Sequence, residues 1–264
     1  MSKYLEVAKL LFKAQIIWRF DVAMSVVFTV SKIAFAYLLW GAVFGENITV
    51  SGFTFPAMIS YYIISSFLSQ IEMSEGVSRE IGERIKEGSF SKYMVLPVNI
   101  QRYFISQTFG AMSFYSIFNL ASAILWKFIF NIDFVLTSNI WVIPAALLMV
   151  ILGLIFMIQL NYFLGLLAFK FEDIGFFLMV KNNIVSFITG TLIPLVLLPH
   201  SIVSFMRFFP FYYVTYLPSM LLIGRNEDEA VVGIIILMGW ISAFAFFNKI
   251  AYGKLRVAYD GVGI

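Results

Sequence analysis

Residues 140–167 read IWVIPAALLMVILGLIFMIQLNYFLGLL and contain no charged side chain. A helix needs about 20 predominantly apolar residues to cross the hydrocarbon core of a bilayer. This stretch exceeds that length, so we expect it to form a transmembrane helix.

The composition of the whole chain agrees with a membrane protein. Of its 264 residues, 61% are hydrophobic and 12% are charged, and the mean hydropathy is +0.91. Soluble domains carry about 25% charged residues, so a water-soluble fold is excluded. No linker or low-complexity tract divides the chain, which predicts a single transmembrane domain over residues 1–264. The chain has no cysteine, which excludes disulfides, thiolate metal sites and thiol catalysis.

Hydrophobic stretches of sufficient length recur along the chain. They predict an all-α membrane protein with six transmembrane helices. The fifth is expected to begin either at Gly175 or near residue 182. The predicted spans are 22–44, 53–71, 103–126, 140–167, 182–198 and 231–247.

The distribution of basic residues predicts the orientation. An even number of spans puts both termini on one side, and that side receives 14 Lys and Arg residues, whereas the other side receives three. Basic residues concentrate on the cytoplasmic side of membrane proteins. We therefore expect a multi-pass protein of the cell membrane with both termini in the cytoplasm.

The first 21 residues differ from a cleavable signal peptide. Their charges, Lys3, Lys9, Lys13 and Arg19, are spread along the segment instead of forming a basic cap before an apolar core. Apolar residues alternate with these charges at helical spacing. The segment is predicted to be an amphipathic helix that lies in the headgroup layer.

Residues 72–98, EMSEGVSREIGERIKEGSFSKYMVLPV, hold nine charged side chains between two hydrophobic stretches. Val77, Ile81 and Ile85 recur every four residues, and Gly88 provides a helix stop, which predicts a short amphipathic helix within residues 75–92. Either this is a charged connector with a solvated helix, or the apolar stripe is buried. The headgroups, the rest of the chain or a cytoplasmic protein could cover it.

A second unusual stretch follows the fifth predicted span. Four prolines, at 194, 199, 210 and 218, interrupt an otherwise apolar segment, so one straight helix cannot account for it. We expect short helical pieces over residues 200–224 that enter the outer leaflet and return. The aromatic residues here, which include Tyr212 and Tyr216, suit either an interfacial belt or a ligand surface.

These features together resemble the membrane subunit of an ABC-2 type ABC exporter. Residues 81–97, IGERIKEGSFSKYMVLP, look like the I-x-x-x-I-x-x-G-x-x-x-x-x-L-x-x-P segment of such permeases, and residues 194–224 resemble their outward-facing hairpin. Trp240 in the last span also has a familiar place. The resemblance implies a half-transporter that works with a second permease subunit, of the same or a similar chain, and with a cytoplasmic ABC ATPase dimer.

The chain has no G-x-x-x-x-G-K-[ST] phosphate loop, so it does not bind ATP in that manner. ATP and Mg are therefore expected on the partner ATPase, and this chain is expected not to be an enzyme. In this interpretation, residues 75–92 form the coupling helix that sits in a groove of the ATPase. Its expected anchors are Val77, Ile81 and Ile85, and its expected register-setting charges are Arg79, Glu83, Arg84 and Lys86.

Lys32 lies near the middle of the first predicted span, where a cation costs at least about 2.5 kcal/mol. It could face a hydrated pathway and attract an anionic group of the substrate. It could instead snorkel to the interface or pair with a polar group between helices. We name Lys32, Asn161, Tyr212 and Tyr216 as possible pathway residues, although polar residues in spans more often bond neighbouring helices.

Two other functions remain as alternatives. An intramembrane hydrolase or transferase needs an acid, base or nucleophile set, but the only histidine, His200, is expected at a span end and no acidic residue falls at mid-depth. A passive channel or scaffold keeps the spans but leaves the helix at 75–92 unexplained. The apolar spans favour an amphiphilic substrate, such as a lipid-like molecule, a hydrophobic peptide or a drug. Membrane lipids are the expected surroundings, and no metal or nucleic-acid partner is predicted.

Overall fold

The computed structural model describes residues 2–17, 19–130, 133–171, 173–190 and 194–258. These residues form helices and no β-strand; the only strand-like pairing among them is an isolated bridge between Val50 and Phe53. The prediction of an all-α fold is confirmed for this part of the chain.

The described residues of the first half of the chain form six α-helices. They are α1 (Ser2–Ala14), α2 (Arg19–Phe44), α3 (Phe55–Ile71), α4 (Glu75–Lys86), α5 (Ser91–Met94) and α6 (Ile100–Phe130).

The second half contains five α-helices among the described residues. They are α7 (Val142–Leu166), α8 (Gly175–Ile188), α9 (His200–Met206), α10 (Tyr216–Leu222) and α11 (Ala230–Leu255). Short 3-10 helices adjoin several of them, at Gln15–Ile17, Leu167–Phe169, Leu195–Leu197, Pro210–Tyr213, Glu227–Glu229 and Arg256–Ala258.

Within the part of the chain that the structure describes, three helical segments are long and apolar enough to cross a membrane: Val26–Phe44, Val142–Phe169 and Glu227–Leu255. This supports a membrane protein, and the total of six spans stays a prediction. Helix α3 has 17 residues and α8 has 14. At about 1.5 Å per residue, α8 is roughly 21 Å long, which is shorter than the hydrocarbon core.

The predicted fifth span at 182–198 is wrong as a single helix. Helix α8 begins at Gly175, one of the two predicted starts, and ends at Ile188. The chain turns immediately afterwards, because Gly190 has a φ of 72° that no α-helix continues. A 3-10 helix then begins at Leu195, after Pro194.

Helix α7 lies at the centre of the molecule. Most of its residues are buried, including two polar ones, Gln159 and Asn161. Helix α11 packs against it, α4 contacts it near Asn161 and Gly165, and α10 also contacts it. Because its surroundings are mostly protein, α7 has apolar residues on every face.

Helix α1 packs along α6. The Lys3 ammonium donates a 2.8 Å hydrogen bond to the Pro97 carbonyl, and the Phe12 ring meets the Phe114 ring edge-to-face at 5.4 Å. One side of α1 therefore contacts α6, whereas Leu5 and Leu10 remain exposed, and the location of α1 in the headgroup layer stays a prediction.

Residues 200–222 form two short helices, α9 and α10, on either side of the 3-10 helix Pro210–Tyr213. The prolines lie near the helix starts, where a missing N–H does least harm: Pro199 precedes α9, and Pro210 opens the 3-10 helix. Residues 212–221 are all buried. This part of the chain is thus a packed unit beside α7.

Candidate coupling interface

Helix α4 buries its apolar face against its own chain. Val77, Ile81 and Ile85 are 5%, 0% and 9% exposed. Helix α7 approaches closely here: a β-carbon added at Gly165 would lie 2.9 Å from the β-carbon of Ile81. A larger residue at 165 would force the two helices apart.

This burial contradicts one role that was predicted from the sequence. Val77, Ile81 and Ile85 were expected to anchor α4 in a groove of the ATPase, but α7 and its neighbours already cover them. Of the three possible locations for the apolar stripe, the structure selects the interior of the chain. The periodicity located the helix, but it carried no information about which surface would cover it.

Helix α4 ends at Lys86, earlier than the predicted range of 75–92. Gly88 follows with a φ of 73°, in the left-handed region that favours glycine, and its N–H donates a 3.1 Å hydrogen bond to the Ile85 carbonyl. The chain then forms the separate short helix α5. Gly88 therefore acts as the stop between α4 and α5.

The opposite face of α4 is exposed. Arg79, Glu83 and Lys86 point away from α7, and we call these three residues the outer face of α4. They border a small cavity of about 190 Å³ that Asp173 and Leu178 complete from the start of α8. Charges of both signs thus meet on an open surface.

Glu75, in the first turn of α4, joins that helix to α8. Its carboxylate accepts a 2.8 Å hydrogen bond from the Asn182 amide and lies 3.4 Å from the ammonium of Lys181, whose side chain is 7% exposed. It also pairs with Arg79 of its own helix. Burial alone would raise the pKa of Glu75, but the hydrogen bonds from Asn182 and Arg79 and the Lys181 charge outweigh it and lower the pKa.

Glu80 joins α4 to α5 and α6. Its carboxylate accepts hydrogen bonds from the Tyr93 hydroxyl at 2.8 Å and the Gln107 amide at 2.9 Å, and it pairs with Arg84 at 3.0 Å. Burial, followed by this bond to a carboxylate, raises the pKa of Tyr93. Arg84 also lies over the Tyr93 ring at 5.1 Å, so its contacts are with residues of its own chain. From the sequence, Arg84 was expected to set the register of α4 with the ATPase.

Asn161 joins α4 to α7. Its side chain is fully buried, and its amide donates hydrogen bonds to the Ser74 hydroxyl at 2.6 Å and to the Met157 carbonyl at 3.1 Å. Ser74 directly precedes α4, and its N–H donates to Glu72 at 2.9 Å. The structure thus places Asn161 beneath the start of α4, whereas it was proposed as a pathway residue.

The other possible pathway residues lie apart. Lys32 is exposed on α2 and lines a groove of about 480 Å³ with Tyr62, Ser65 and Ser69 of α3. Within the described part of the chain, its ammonium has no carboxylate partner.

Tyr212 and Tyr216 are 0% and 4% exposed and pack on each other. The Tyr212 hydroxyl donates to Glu229 at 3.0 Å, and Arg207 pairs with the same carboxylate at 2.8 Å. Tyr212 thus holds the 200–222 unit against the start of α11, and both tyrosines are buried within the described part of the chain.

The sequence did not indicate that Glu75 and Glu80 join α4 to other helices. Glu75 and Glu80 lay within the charged stretch, but the i,i+4 pattern predicts only the local pairs with Arg79 and Arg84. Their contacts with Lys181, Asn182 and Gln107 join residues that are 27 to 107 positions apart. No local pattern in the sequence signals such pairs.

A comparison with known families decides the class of this protein. A family model described as ABC-2 family transporter protein matches residues 30–263, which is most of the chain. The chain belongs to the ABC-2 transporter family. It is therefore a transmembrane transporter component, and this membership implies association with ABC ATPase partners in general. Searches of curated proteins and of solved structures found no match.

Membership in the ABC-2 family agrees with the resemblance noted in the sequence. The match begins at residue 30, within α2, so α1 lies outside it. The region that the match covers includes α4 and every helix to which α4 is bonded. The candidate coupling interface thus lies within the matched region.

Proposed function

We propose that this chain is the transmembrane subunit of an ATP-driven exporter. It forms the substrate pathway with a second permease subunit, and separate cytoplasmic ATPase subunits bind ATP and Mg. The observation that carries this proposal is the two-sided character of α4. Its inner face is bonded to three other helices, and its outer face of Arg79, Glu83 and Lys86 is open.

The inner contacts make α4 suitable for transmitting motion. Glu75 connects it to α8, Glu80 connects it to α6, and Ser74 connects it to α7 through Asn161. Hydrogen bonds to charged groups contribute about 1.5–3 kcal/mol each, and burial of a side chain such as Ile81 contributes a similar amount. A displacement of α4 alone would break all of these contacts, so we propose that α6, α7 and α8 move with it.

In the proposed cycle, closure of the ATPase dimer pushes on the outer face of α4. The displacement changes the packing of α6, α7 and α8 and so switches access across the membrane. This is a rigid-body mechanism, in which a packed unit moves between two discrete arrangements. Arg79, Glu83 and Lys86 set the register with the ATPase by charge complementarity.

The substrate is proposed to be an amphiphile. The groove beside Lys32 supports this, because it combines one cation and several serine hydroxyls with apolar walls from Phe35 and Leu39. Such a lining would accept a molecule with an anionic group and a hydrophobic body. The groove lies on the exposed side of α2 and α3, where a second permease subunit could complete a pathway.

Cross-linking tests the proposal directly, because the chain contains no cysteine. A single cysteine at Glu83→Cys, in tagged protein expressed with its genomic neighbours, is expected to form a cross-link with a co-purifying ATPase. The matched control is Asp228→Cys, an exposed acidic residue predicted to lie on the opposite side of the membrane. Cross-linking at 228 but not at 83 would contradict the proposed interface.

The same preparation separates the exporter from a passive channel. An exporter is expected to purify with an ATPase in fixed stoichiometry and to show ATP hydrolysis that substrate stimulates. If the chain purified alone and conducted ions in liposomes, the exporter would be rejected in favour of a channel.

A further inference from the structure

A second cavity lies at the end of the molecule where the predicted cytoplasmic ends of α6 and α11 meet. It measures about 520 Å³ and is bordered by the start of α6, by α7 and by the C-terminal part of α11. We call it the α6–α11 cavity. Its volume is within the range of about 300–1,000 Å³ that is typical of small-molecule sites.

Three cations border this cavity: Arg102 of α6, Lys249 of α11 and Arg256 just after α11. None of them is in an ion pair within the described part of the chain, where Arg256 has the Tyr252 ring at 5.3 Å as its neighbour. The lining contains no aspartate or glutamate among the described residues. A phosphate group is the natural counterpart of such a set of Arg and Lys side chains.

Two buried amide residues, Gln159 and Asn248, border the inner wall of the cavity. Gln159 and Asn248 are 5% and 1% exposed, and the side-chain oxygen of each has no hydrogen-bond partner within the described part of the chain. The Asn248 amide nitrogen already donates to the Gln159 backbone carbonyl at 3.0 Å. Leaving a buried acceptor without a partner is unfavourable, so these oxygens favour a ligand that brings donors.

We propose that the α6–α11 cavity binds the headgroup of an anionic phospholipid. Its phosphate contacts Arg102, Lys249 and Arg256, and its headgroup hydroxyls donate to Gln159 and Asn248. A phosphodiester with free hydroxyls, as in phosphatidylglycerol, provides both functions. Basic pockets between helices at the cytoplasmic surface suit such headgroups. The proposal does not depend on an ATPase partner or on the identity of the transported substrate.

Lipid retention by the purified full chain tests this site. The protein is extracted in mild detergent, titrated with phosphatidylglycerol, and examined by native mass spectrometry. Replacement of the three cations by glutamine (Arg102→Gln, Lys249→Gln and Arg256→Gln) is expected to weaken retention at least about tenfold, since each cation near an anionic surface contributes about 1 kcal/mol.

The control is a second triple variant with the same change in charge: Lys13→Gln, Lys92→Gln and Lys254→Gln. These residues are exposed and do not border the cavity. This variant is expected to retain phosphatidylglycerol as the wild type does. Equal losses in the two triple variants, or no loss in the first, would overturn the proposal, because they would show diffuse attraction or no site.

Two ligand comparisons identify what binds. Phosphatidylmethanol carries the same charge as phosphatidylglycerol but lacks the headgroup hydroxyls, so it is expected to bind more weakly to the wild-type protein. Equal binding of the two lipids would overturn the role of Gln159 and Asn248. Inorganic phosphate is expected not to displace the lipid at millimolar concentration; displacement would overturn the assignment to a lipid headgroup and indicate a site for free phosphate.

Discussion

The side-chain amide of Asn161 in α7 donates a 2.6 Å hydrogen bond to the hydroxyl of Ser74, the residue that precedes α4. The two residues are 87 positions apart. This bond joins the central helix α7 to the start of α4, the helix that carries Arg79, Glu83 and Lys86 on its outer face. It therefore provides the first test of whether α4 transmits force to the transmembrane helices.

Replacing Asn161 by leucine is expected to weaken this link. The variant leaves the Ser74 hydroxyl with one partner fewer in a buried place, which should lower the free energy of unfolding by about 1–3 kcal/mol. Substrate-stimulated ATP hydrolysis by the assembled complex should fall, with basal hydrolysis retained. The control is Asn183→Leu, at an exposed position of α8. Equal effects of the two variants would show that the hydrogen bond between Asn161 and Ser74 has no specific role in coupling.

Gly165 tests the close approach of α4 and α7. A β-carbon at this position would lie 2.9 Å from Ile81 Cβ and 3.1 Å from Ser78 Cα, so Gly165→Ala should destabilise the protein by about 1–3 kcal/mol. Gly239→Ala in α11 is the matched control, since nothing lies within 4 Å of an added β-carbon there. That variant should be neutral or gain up to about 1 kcal/mol from the helix preference of alanine. Thermal unfolding in detergent measures both.

We expect substitutions on the outer face of α4 to affect assembly with the ATPase, and substitutions on its inner face to affect folding. Exchanging the charges with Glu83→Lys and Lys86→Glu is expected to abolish assembly with the ATPase and leave the thermal unfolding temperature nearly unchanged, because both side chains are exposed. By contrast, Ile81→Asp should unfold the chain, since Ile81 is fully buried.

The control for the charge exchange is Lys13→Glu with Asp228→Lys, which also preserves net charge at exposed positions. Co-purification of the tagged chain with its ATPase measures assembly in each variant. Normal assembly of the Glu83 and Lys86 variant would remove the outer face from the proposed interface.

Glu75 predicts a dependence of stability on pH. The pKa of Glu75 is lower in the folded protein than in the unfolded chain. Its contribution to the free energy of unfolding is therefore fully present above the unfolded pKa of about 4.3, and it is lost as the pH falls through the lower pKa of the folded protein. The wild-type protein should lose stability on acidification below about pH 4.3, and Glu75→Gln should lose less over the same interval. Unfolding temperatures measured across this range are the test. Glu83→Gln is the control; it should follow the wild-type curve, and an equally flattened curve would contradict the assignment to Glu75.

Lys32 tests the proposed pathway. Lys32→Met should remove transport of anionic substrates and leave ATPase assembly intact, because Lys32 lines a groove away from α4. Lys32→Arg keeps the charge and should retain part of the activity. Uptake of labelled substrate into inside-out vesicles measures transport. Normal transport by the methionine variant would make Lys32 a residue of the protein surface with no part in substrate recognition.

The sequence predicted several elements well because their signals are local. The apolar run at 140–167 indicated α7, and the four-residue spacing of Val77, Ile81 and Ile85 located α4. The proline-rich stretch indicated broken helices before α11. In each case, the spacing of residues a few positions apart contains the whole signal. The end of α8 was misplaced because hydropathy continues past Ile188, and the turn at Gly190 interrupts no apolar pattern.

The order of residues along the chain is enough to show that this protein is helical, apolar and suited to a membrane, and that α4 has one apolar and one charged face. The surface that covers each face became known from the packing of the helices. Ile81 was expected to contact another protein, but it packs at Gly165 of the same chain, and Glu75 and Glu80 bond to α8 and α6. The physical reason is that burial and long-range hydrogen bonds depend on which helices meet in space. A periodic pattern shows that a face must be buried and does not specify its partner.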